Sequence, residues 1–87
     1  MKTEQIKEQV RAYILKEFLP GEDPEQLTDS VSLIGGRILD SLATLRLVAF
    51  LEETYGFEFA AHEVGPQNLD NLELIASFVA SKRKEGA

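Results

Sequence analysis

The 87-residue chain contains no cysteine, and 44% of its residues are hydrophobic, so it has the length and composition of one folded domain with a modest core. These figures exclude disulfides and thiolate metal sites, and they leave too few residues for a deep catalytic cleft beside the core. The formal net charge of −6 argues against nucleic-acid binding, because an acidic surface repels phosphate groups.

The acidic residues are concentrated in the middle of the chain. Between Glu17 and Glu73 the basic residues are Arg37 and Arg46, and the other basic residues lie near the two ends. Such a surface would attract basic partner proteins, although solubility alone would also account for the charge. The polar first residues do not resemble a signal peptide, and no apolar run approaches the roughly 20 residues of a membrane span, so we expect a cytoplasmic protein.

The first predicted element is an amphipathic helix that ends at Pro20-Gly21. Thr3 is its expected N-cap, because its hydroxyl can accept a hydrogen bond from a first-turn N–H. The apolar stripe falls at helical spacing and consists of Ile6, Val10, Tyr13, Ile14 and Phe18.

A long connection follows, from about residue 20 to residue 39, and loops of this length are often functional. A short helical turn is expected after Asp23, with Pro24 in its first turn. The acidic cluster around Asp23 lacks the ligand spacing and central glycine of a calcium-binding loop, so we predict no metal site there. The apolar residues expected to hold the connection to the core are Leu27, Val31, Leu33, Ile34 and Ile38.

The second helix is predicted to begin at Asp40 or Ser41 and to run to about Tyr55, with Gly56 as its C′ residue. Its expected core face consists of Thr44, Leu47, Val48, Leu51 and Tyr55.

The opposite face of this helix is also apolar. An exposed apolar patch with a charged rim is typical of a partner-binding site. The alternative is that the preceding loop covers Leu42 and Leu45, or Leu42 alone. This face carries Leu42, Leu45 and Ala49, beside Arg46, Glu52 and Glu53.

The rest of the chain predicts an extended connector, a short irregular helical turn and a last helix. Phe57 and Phe59 are expected to pack inward from the connector, and the turn over residues 62–69 is broken near Gly65-Pro66. The last helix begins near Asp70-Asn71, where Asp70 and Glu73 resemble a capping box. Its apolar stripe is Leu72, Ile75, Ala76 and Val79, and the tail over about residues 82–87 is expected to be disordered or frayed.

These elements predict an all-α fold, a small four-helix bundle with a long first loop and a short, irregular third helix, in one domain over residues 1–87. Ser41 stands where the long loop becomes the second helix. A serine there is expected as an N-cap, but a helix N-terminus also stabilises anions, so a phosphate attached at this serine would be favoured as well.

Ser41 lies in the segment Gly-Arg-Ile-Leu-Asp-Ser-Leu at residues 36–42, and the second helix leads into Leu-Glu-Glu-Thr-Tyr-Gly-Phe-Glu-Phe at residues 51–59. These two segments resemble the acyl/peptidyl carrier proteins. The compatible last helix, the acidic middle of the chain and the domain length extend the resemblance over nearly the whole chain. The hallmark of the family is Asp-Ser-Leu at the start of the second helix. The resemblance implies an acyl-carrier type of bundle, without catalysis of its own, in which the Ser41 hydroxyl attacks the pyrophosphate of coenzyme A on a phosphopantetheinyl transferase with Mg²⁺. The attached 4′-phosphopantetheine supplies a thiol that holds cargo as a thioester.

The same resemblance assigns roles to the neighbouring residues. Asp40 and Leu42 match the positions that flank the modified serine, and the partner-facing positions are Leu42, Leu45, Arg46, Ala49, Glu52 and Glu53. Fatty-acid carriers often have acidic residues where this chain has Ala43 and Arg46. We therefore expect a free-standing carrier of aminoacyl, D-alanyl or unusual acyl groups, in natural-product synthesis or cell-wall modification, with a fatty-acid carrier as the alternative.

The expected partners are the transferase, an acyl- or aminoacyl-activating ligase or adenylation enzyme, and downstream acyl-processing enzymes, with the carrier itself a monomer. A serine hydrolase that uses Ser41 and His62 is disfavoured, because the nucleophile-elbow motif Gly-x-Ser-x-Gly is missing. The serious alternative is an unmodified helical interaction module, in which Ser41 is only a cap and the apolar patch only a docking surface.

Overall fold

Four α-helices and two 3₁₀ turns make up the part of the chain that the structure describes. The computed structural model describes residues 2–21 and 23–86, apart from the side chains of residues 24 and 84–86. The helices are α1 (Thr3–Phe18), α2 (Ser41–Tyr55), α3 (Pro66–Leu69) and α4 (Leu72–Gly86), and the 3₁₀ turns are Pro24–Gln26 and Ala61–Glu63. The predicted all-α fold is thus confirmed as a small helical bundle with a long first loop and a short third helix. Within this range no helix is long and apolar enough to cross a membrane.

The apolar stripes of the three long helices meet in one core, in which α4 packs against α1, α2 and α3. The long loop between α1 and α2 closes this core, because Leu27, Leu33 and Leu39 are buried with the helical residues. Burial of one such side chain stabilises the fold by about 1.5–3 kcal/mol. The helical core residues include Ile6, Val10, Ile14, Leu47, Leu51, Tyr55, Leu72, Ile75 and Val79.

Asp70, between α3 and α4, fixes the long loop. Its Oδ1 accepts hydrogen bonds from the backbone N–H groups of Ile34 at 2.9 Å and Gly35 at 3.0 Å, and from the Ser32 hydroxyl at 2.8 Å. These donors, the Gly35 N–H foremost, hold the pKa of the Asp70 carboxyl below its usual range. The loop also turns tightly at Gly36, where a Cβ atom would lie 2.2 Å from the Ser32 carbonyl oxygen.

The predicted caps of α1 and α4 are wrong. Thr3 is the first helical residue of α1, and Lys2 is the N-cap, with its N–H donating to Gln5 Oε1. Asp70 lies at the end of α3 and does not cap α4, because its carboxylate accepts hydrogen bonds from the long loop. The side chain of Asn71 accepts from the Leu74 N–H at 2.8 Å and caps α4 in its place.

The α4 helix continues to Gly86 and so includes most of the tail over residues 82–87, whose fraying stays a prediction. Two side chains of this last part reach the rest of the molecule. Lys82 lies 2.7 Å from the Glu63 carboxylate, and Arg83 donates to the Tyr55 carbonyl oxygen at 2.8 Å. These contacts attach Lys82 and Arg83 to the rest of the molecule. Ala87 lies outside the described residues.

A second polar cluster joins α1, the loop and α4. Lys7 is buried, and its Nζ lies 2.6 Å from Glu73, 3.1 Å from Asp29 and 3.1 Å from Glu4. Arg11 also pairs with Asp29 and donates to the Leu27 carbonyl oxygen at 2.9 Å. The cluster therefore holds the first half of the loop, as Asp70 holds the second half.

Candidate functional site

The site is centred on the first turn of α2, where Asp40 and not Ser41 is the N-cap. Asp40 has an extended backbone, and its Oδ1 accepts a hydrogen bond from the Ala43 N–H at 2.7 Å. The predicted capping by Ser41 is therefore wrong. The turn begins one residue earlier, because a carboxylate is already in place to accept from the free N–H groups of the helix.

Ser41 is the first residue of α2, and its side chain is exposed. Among the described residues no donor or acceptor is hydrogen-bonded to its hydroxyl, whereas the nearby Thr44 hydroxyl donates to the Asp40 carbonyl oxygen at 2.8 Å. Within the described part of the chain, the Ser41 hydroxyl therefore makes no hydrogen bond that stabilises the fold. It is available for reaction on a rigid element, which suits an attachment point.

A surface cavity of about 620 Å³ lies beside Ser41. Three segments form it: the end of the long loop, the first two turns of α2, and the residues that lead into α3. Its apolar lining consists of Ile34, Leu39, Leu45, Val64 and Pro66, and its polar lining of Arg37, Asp40, Ser41 and Thr44. Thr44 is half-buried here, while Ala43 takes the core position for which the sequence predicted Thr44.

The second apolar face of α2 is exposed, as predicted. Leu42 is 62% exposed and Leu45 is 58% exposed, so the alternative that the preceding loop covers them is wrong. Arg46, Ala49 and Glu53 are exposed beside them.

Glu52 differs from the other residues of this face because it is half-buried. Its carboxylate accepts a hydrogen bond from the Phe59 N–H at 2.8 Å and so holds the connector. Phe57 and Phe59 contact Phe78 of α4 from this connector, as expected for inward-facing rings.

An aromatic group on the α1 side of the patch was not predicted as part of the site. The rings of Tyr13 and Phe50 stack with centroids 4.0 Å apart, and Phe18 meets Tyr13 edge-on at 5.7 Å. Phe18 also lines a small cavity of about 170 Å³ with Leu42 and Arg46. The sequence feature that could have indicated this aromatic group is the position of Phe50, on the border between the core face and the apolar patch of α2.

His62 lies in the second 3₁₀ turn and is exposed, and it does not line the cavity beside Ser41. The structure thus gives no support to a hydrolase that uses these two residues. Over residues 2–21 and 23–86, no group of three or more histidine or carboxylate side chains could hold a metal ion.

Comparison with profiles of known protein families found no match for the chain. A search of curated proteins found no relative at the required significance. The geometry of the site and the sequence motif at residues 36–42 therefore carry the functional argument.

Proposed function

We propose that the protein is an acyl or aminoacyl carrier whose Ser41 is modified with 4′-phosphopantetheine. The observation that carries this proposal is the Ser41 hydroxyl, which is exposed, without a hydrogen-bond partner among the described residues, and next to a cavity at the start of α2. The resemblance of residues 36–42 to the modification motif of carrier proteins gives the chemistry.

The residues around Ser41 fit such a group. Asp40 caps α2 and so fixes the position of the next residue, and the Ser41 oxygen faces open solvent, where the active site of a transferase has access. In the modification, the Ser41 oxygen forms a bond to the phosphorus of coenzyme A nearest pantetheine. The bond to adenosine 3′,5′-bisphosphate breaks, and the hydroxyl proton leaves to a base on the transferase. When bound, the group supplies the thiol that holds cargo as a thioester.

The exposed patch supports transient partners. Leu42, Leu45 and Ala49 offer apolar contact area, and Arg46 and Glu53 give it a charged rim. We assign this patch to the phosphopantetheinyl transferase and to the ligase or adenylation enzyme that loads the cargo. Arg46 disfavours the basic surfaces of fatty-acid enzymes, so aminoacyl, D-alanyl or natural-product carriers are preferred to a fatty-acid carrier.

The second candidate function is an unmodified interaction module, which the same exposed leucines also favour. Modification separates the two functions. With a broad-specificity transferase, coenzyme A and Mg²⁺, a carrier gains one phosphopantetheinyl group, and its Ser41→Ala variant gains none. A module gains nothing in either form.

The patch has its own test within this proposal. Leu45→Glu places a charge in the expected transferase contact, so the initial rate of modification should fall at least about tenfold, as for the loss of 1.4 kcal/mol of interaction. Leu74→Glu is the matched control, because Leu74 is an exposed leucine (37%) on α4. Equal rates for the two variants would remove Leu45 from the transferase interface.

A further inference from the structure

Arg37 lines the same cavity as Ser41 and has no ionic partner there. Among the side chains that the structure describes, no carboxylate lies within 4.0 Å of its guanidinium. Lys7, Arg11 and Lys82 are by contrast all paired with carboxylates. Lys2, Lys16 and Arg46 also lie outside the ion pairs among the described residues, but Arg37 differs from them because it lines the cavity beside Ser41.

The backbone at Arg37 adds a second observation. Its φ is +63°, a left-handed conformation that costs a residue with a Cβ about 1–2 kcal/mol and that glycine adopts freely. Gly35 and Gly36 precede it. A Cβ atom at Gly36 would meet the Ser32 backbone carbonyl oxygen and one at Gly35 would meet the Ser32 hydroxyl, and the left-handed position falls on the arginine. The chain thus carries a guanidinium at a position where glycine would be less strained, as is common at functional sites.

The surroundings favour an anion over a neutral ligand. Asp40 is the acidic residue among the described residues that line the cavity, and its Oδ1 accepts from the Ala43 N–H at the N-terminus of α2, where the positive end of the helix dipole offsets part of the charge of a carboxylate. The remaining lining is mainly apolar, and charge-assisted hydrogen bonds are stronger in such surroundings than in water. Guanidinium groups also match the paired oxygens of carboxylates and phosphates in a bidentate geometry.

We propose that Arg37 binds an anionic group next to Ser41, as part of the proposed carrier function on which this inference rests. Two sources share this chemistry. One is the phosphodiester formed on the Ser41 oxygen, and the other is a carboxylate at the end of a short cargo. In the first case Arg37 would hold the attached phosphopantetheine in place. In the second case it would select dicarboxylic cargo.

The test uses nitrogen-15 NMR of the arginine side-chain Nε–H signals in four samples of the full chain. The first sample is the unmodified protein, and the second carries phosphopantetheine with a free thiol on Ser41. The other two carry succinyl or butyryl phosphopantetheine, transferred from the matching coenzyme A thioester. The two acyl groups have the same carbon number and differ in the terminal carboxylate. Arg37→Gln identifies the Arg37 signal, and Arg11, which donates to the Leu27 carbonyl oxygen, gives a reference signal.

The Arg37 signal is expected to shift by more than its line width while the Arg11 signal stays in place. A shift on attachment of phosphopantetheine without cargo identifies the phosphodiester as the ligand. A shift with succinyl but not with butyryl cargo identifies the carboxylate. If the mass shows full modification and the Arg37 signal does not move in any sample, the inference is wrong and the carrier function stands. If no sample gains mass, both are wrong.

A phosphorus-31 spectrum gives a second readout of the first source. If Arg37 binds the phosphodiester, the phosphorus-31 resonance of the phosphodiester should differ between the wild type and Arg37→Gln. Lys16→Gln removes one positive charge from an exposed position on α1 and should leave the resonance unchanged. Equal changes for both variants would mean that net charge alone acts on the phosphorus, and no change for either variant would exclude Arg37 as its ligand.

Discussion

At the residue scale, two neighbouring side chains at the start of α2 differ in what they bond to. Asp40 supplies the cap through its bond to the Ala43 N–H, and Ser41 leaves its hydroxyl in solvent. In the proposed carrier, stability and modification would therefore depend on different residues, so a substitution at one should leave the role of the other intact.

The two side chains should differ in their effect on stability. Asp40→Ala removes the cap and should lower the free energy of unfolding by about 1 kcal/mol. Ser41→Ala removes an exposed hydroxyl without a hydrogen-bond partner among the described residues and should change it by less than about 0.5 kcal/mol. Urea denaturation followed by circular dichroism measures both. A larger loss for Ser41→Ala than for Asp40→Ala would contradict this division.

At the scale of elements, the long loop is as important as the helices, because it builds one wall of the cavity beside Ser41. Asp70 accepts from the loop at Ile34 and Gly35, and the Leu33 carbonyl oxygen then accepts from the N–H groups of Ile38 and Leu39 at 2.9 Å. This chain of hydrogen bonds leads from the α3–α4 junction to the residue before Asp40.

Asp70→Ala should therefore loosen the loop more than the helices. It removes one acceptor from three donors, so we expect a loss of about 1–3 kcal/mol in stability. The amide of Ile34 should exchange its hydrogen faster, while the amides in the middle of α1 should keep most of their protection. Hydrogen exchange followed by NMR measures this. Equal acceleration in the loop and in α1 would mean that Asp70 supports the whole bundle rather than the loop.

The sequence predicted the elements better than the contacts between them. The bounds of α2, Ser41–Tyr55, and the left-handed Gly56 after it follow from local periodicity and cap chemistry. Asp70 and Glu73 were assigned to a local cap, but their partners Gly35 and Lys7 lie far away along the chain. Local patterns carry no information on such pairs.

The same limit applies to the candidate site. Exposure of Leu42 and Leu45 could be predicted, because it depends on the helical period of α2 alone. The cavity could not, since it requires Val64 and Pro66 to approach the loop and α2. Nor could the sequence show that, in the described part of the chain, no carboxylate would lie within 4.0 Å of the Arg37 guanidinium while three lie that close to Lys7 Nζ.

At the scale of the whole molecule, ionised carboxylates tie distant segments together. Hydrogen bonding to Lys7 lowers the pKa of Asp29, hydrogen bonding to Lys82 lowers the pKa of Glu63, and the Gly35 N–H lowers the pKa of Asp70. Hydrogen bonds to Glu73, Glu4 and Asp29 raise the pKa of Lys7 above its ordinary value. Each shift stabilises the charged form in the folded state.

These shifts fix the sign of the pH dependence. The carboxyl groups contribute full stability above their unfolded-state pKa of about 4, and this contribution is lost as the pH falls through their lower folded-state pKa values. Lys7 contributes fully below about pH 10.4, and its contribution is lost as the pH rises further. The free energy of unfolding should thus be level near neutrality and fall at both ends.

Urea denaturation between pH 2 and pH 7 measures the acid side of this profile. Asp29→Asn should lower stability at pH 7 and make the acid decline shallower, because the pairs with Lys7 and Arg11 are already lost. Glu58→Gln is the control, since Glu58 is exposed and should leave the profile unchanged. A profile that is flat from pH 7 to pH 2 would contradict the account of the carboxylates.

The central claim is that the Ser41 oxygen takes a phosphopantetheinyl group, and intact mass spectrometry tests it most directly. The wild type, Ser41→Ala and Ser77→Ala are each incubated with a broad-specificity transferase, coenzyme A and Mg²⁺; Ser77, exposed on α4, provides the matched serine control. We predict one added group on the wild type and on Ser77→Ala, located by fragmentation on the peptide with Ser41, and none on Ser41→Ala. Folded wild type without added mass, or equal modification of Ser41→Ala, would contradict the claim.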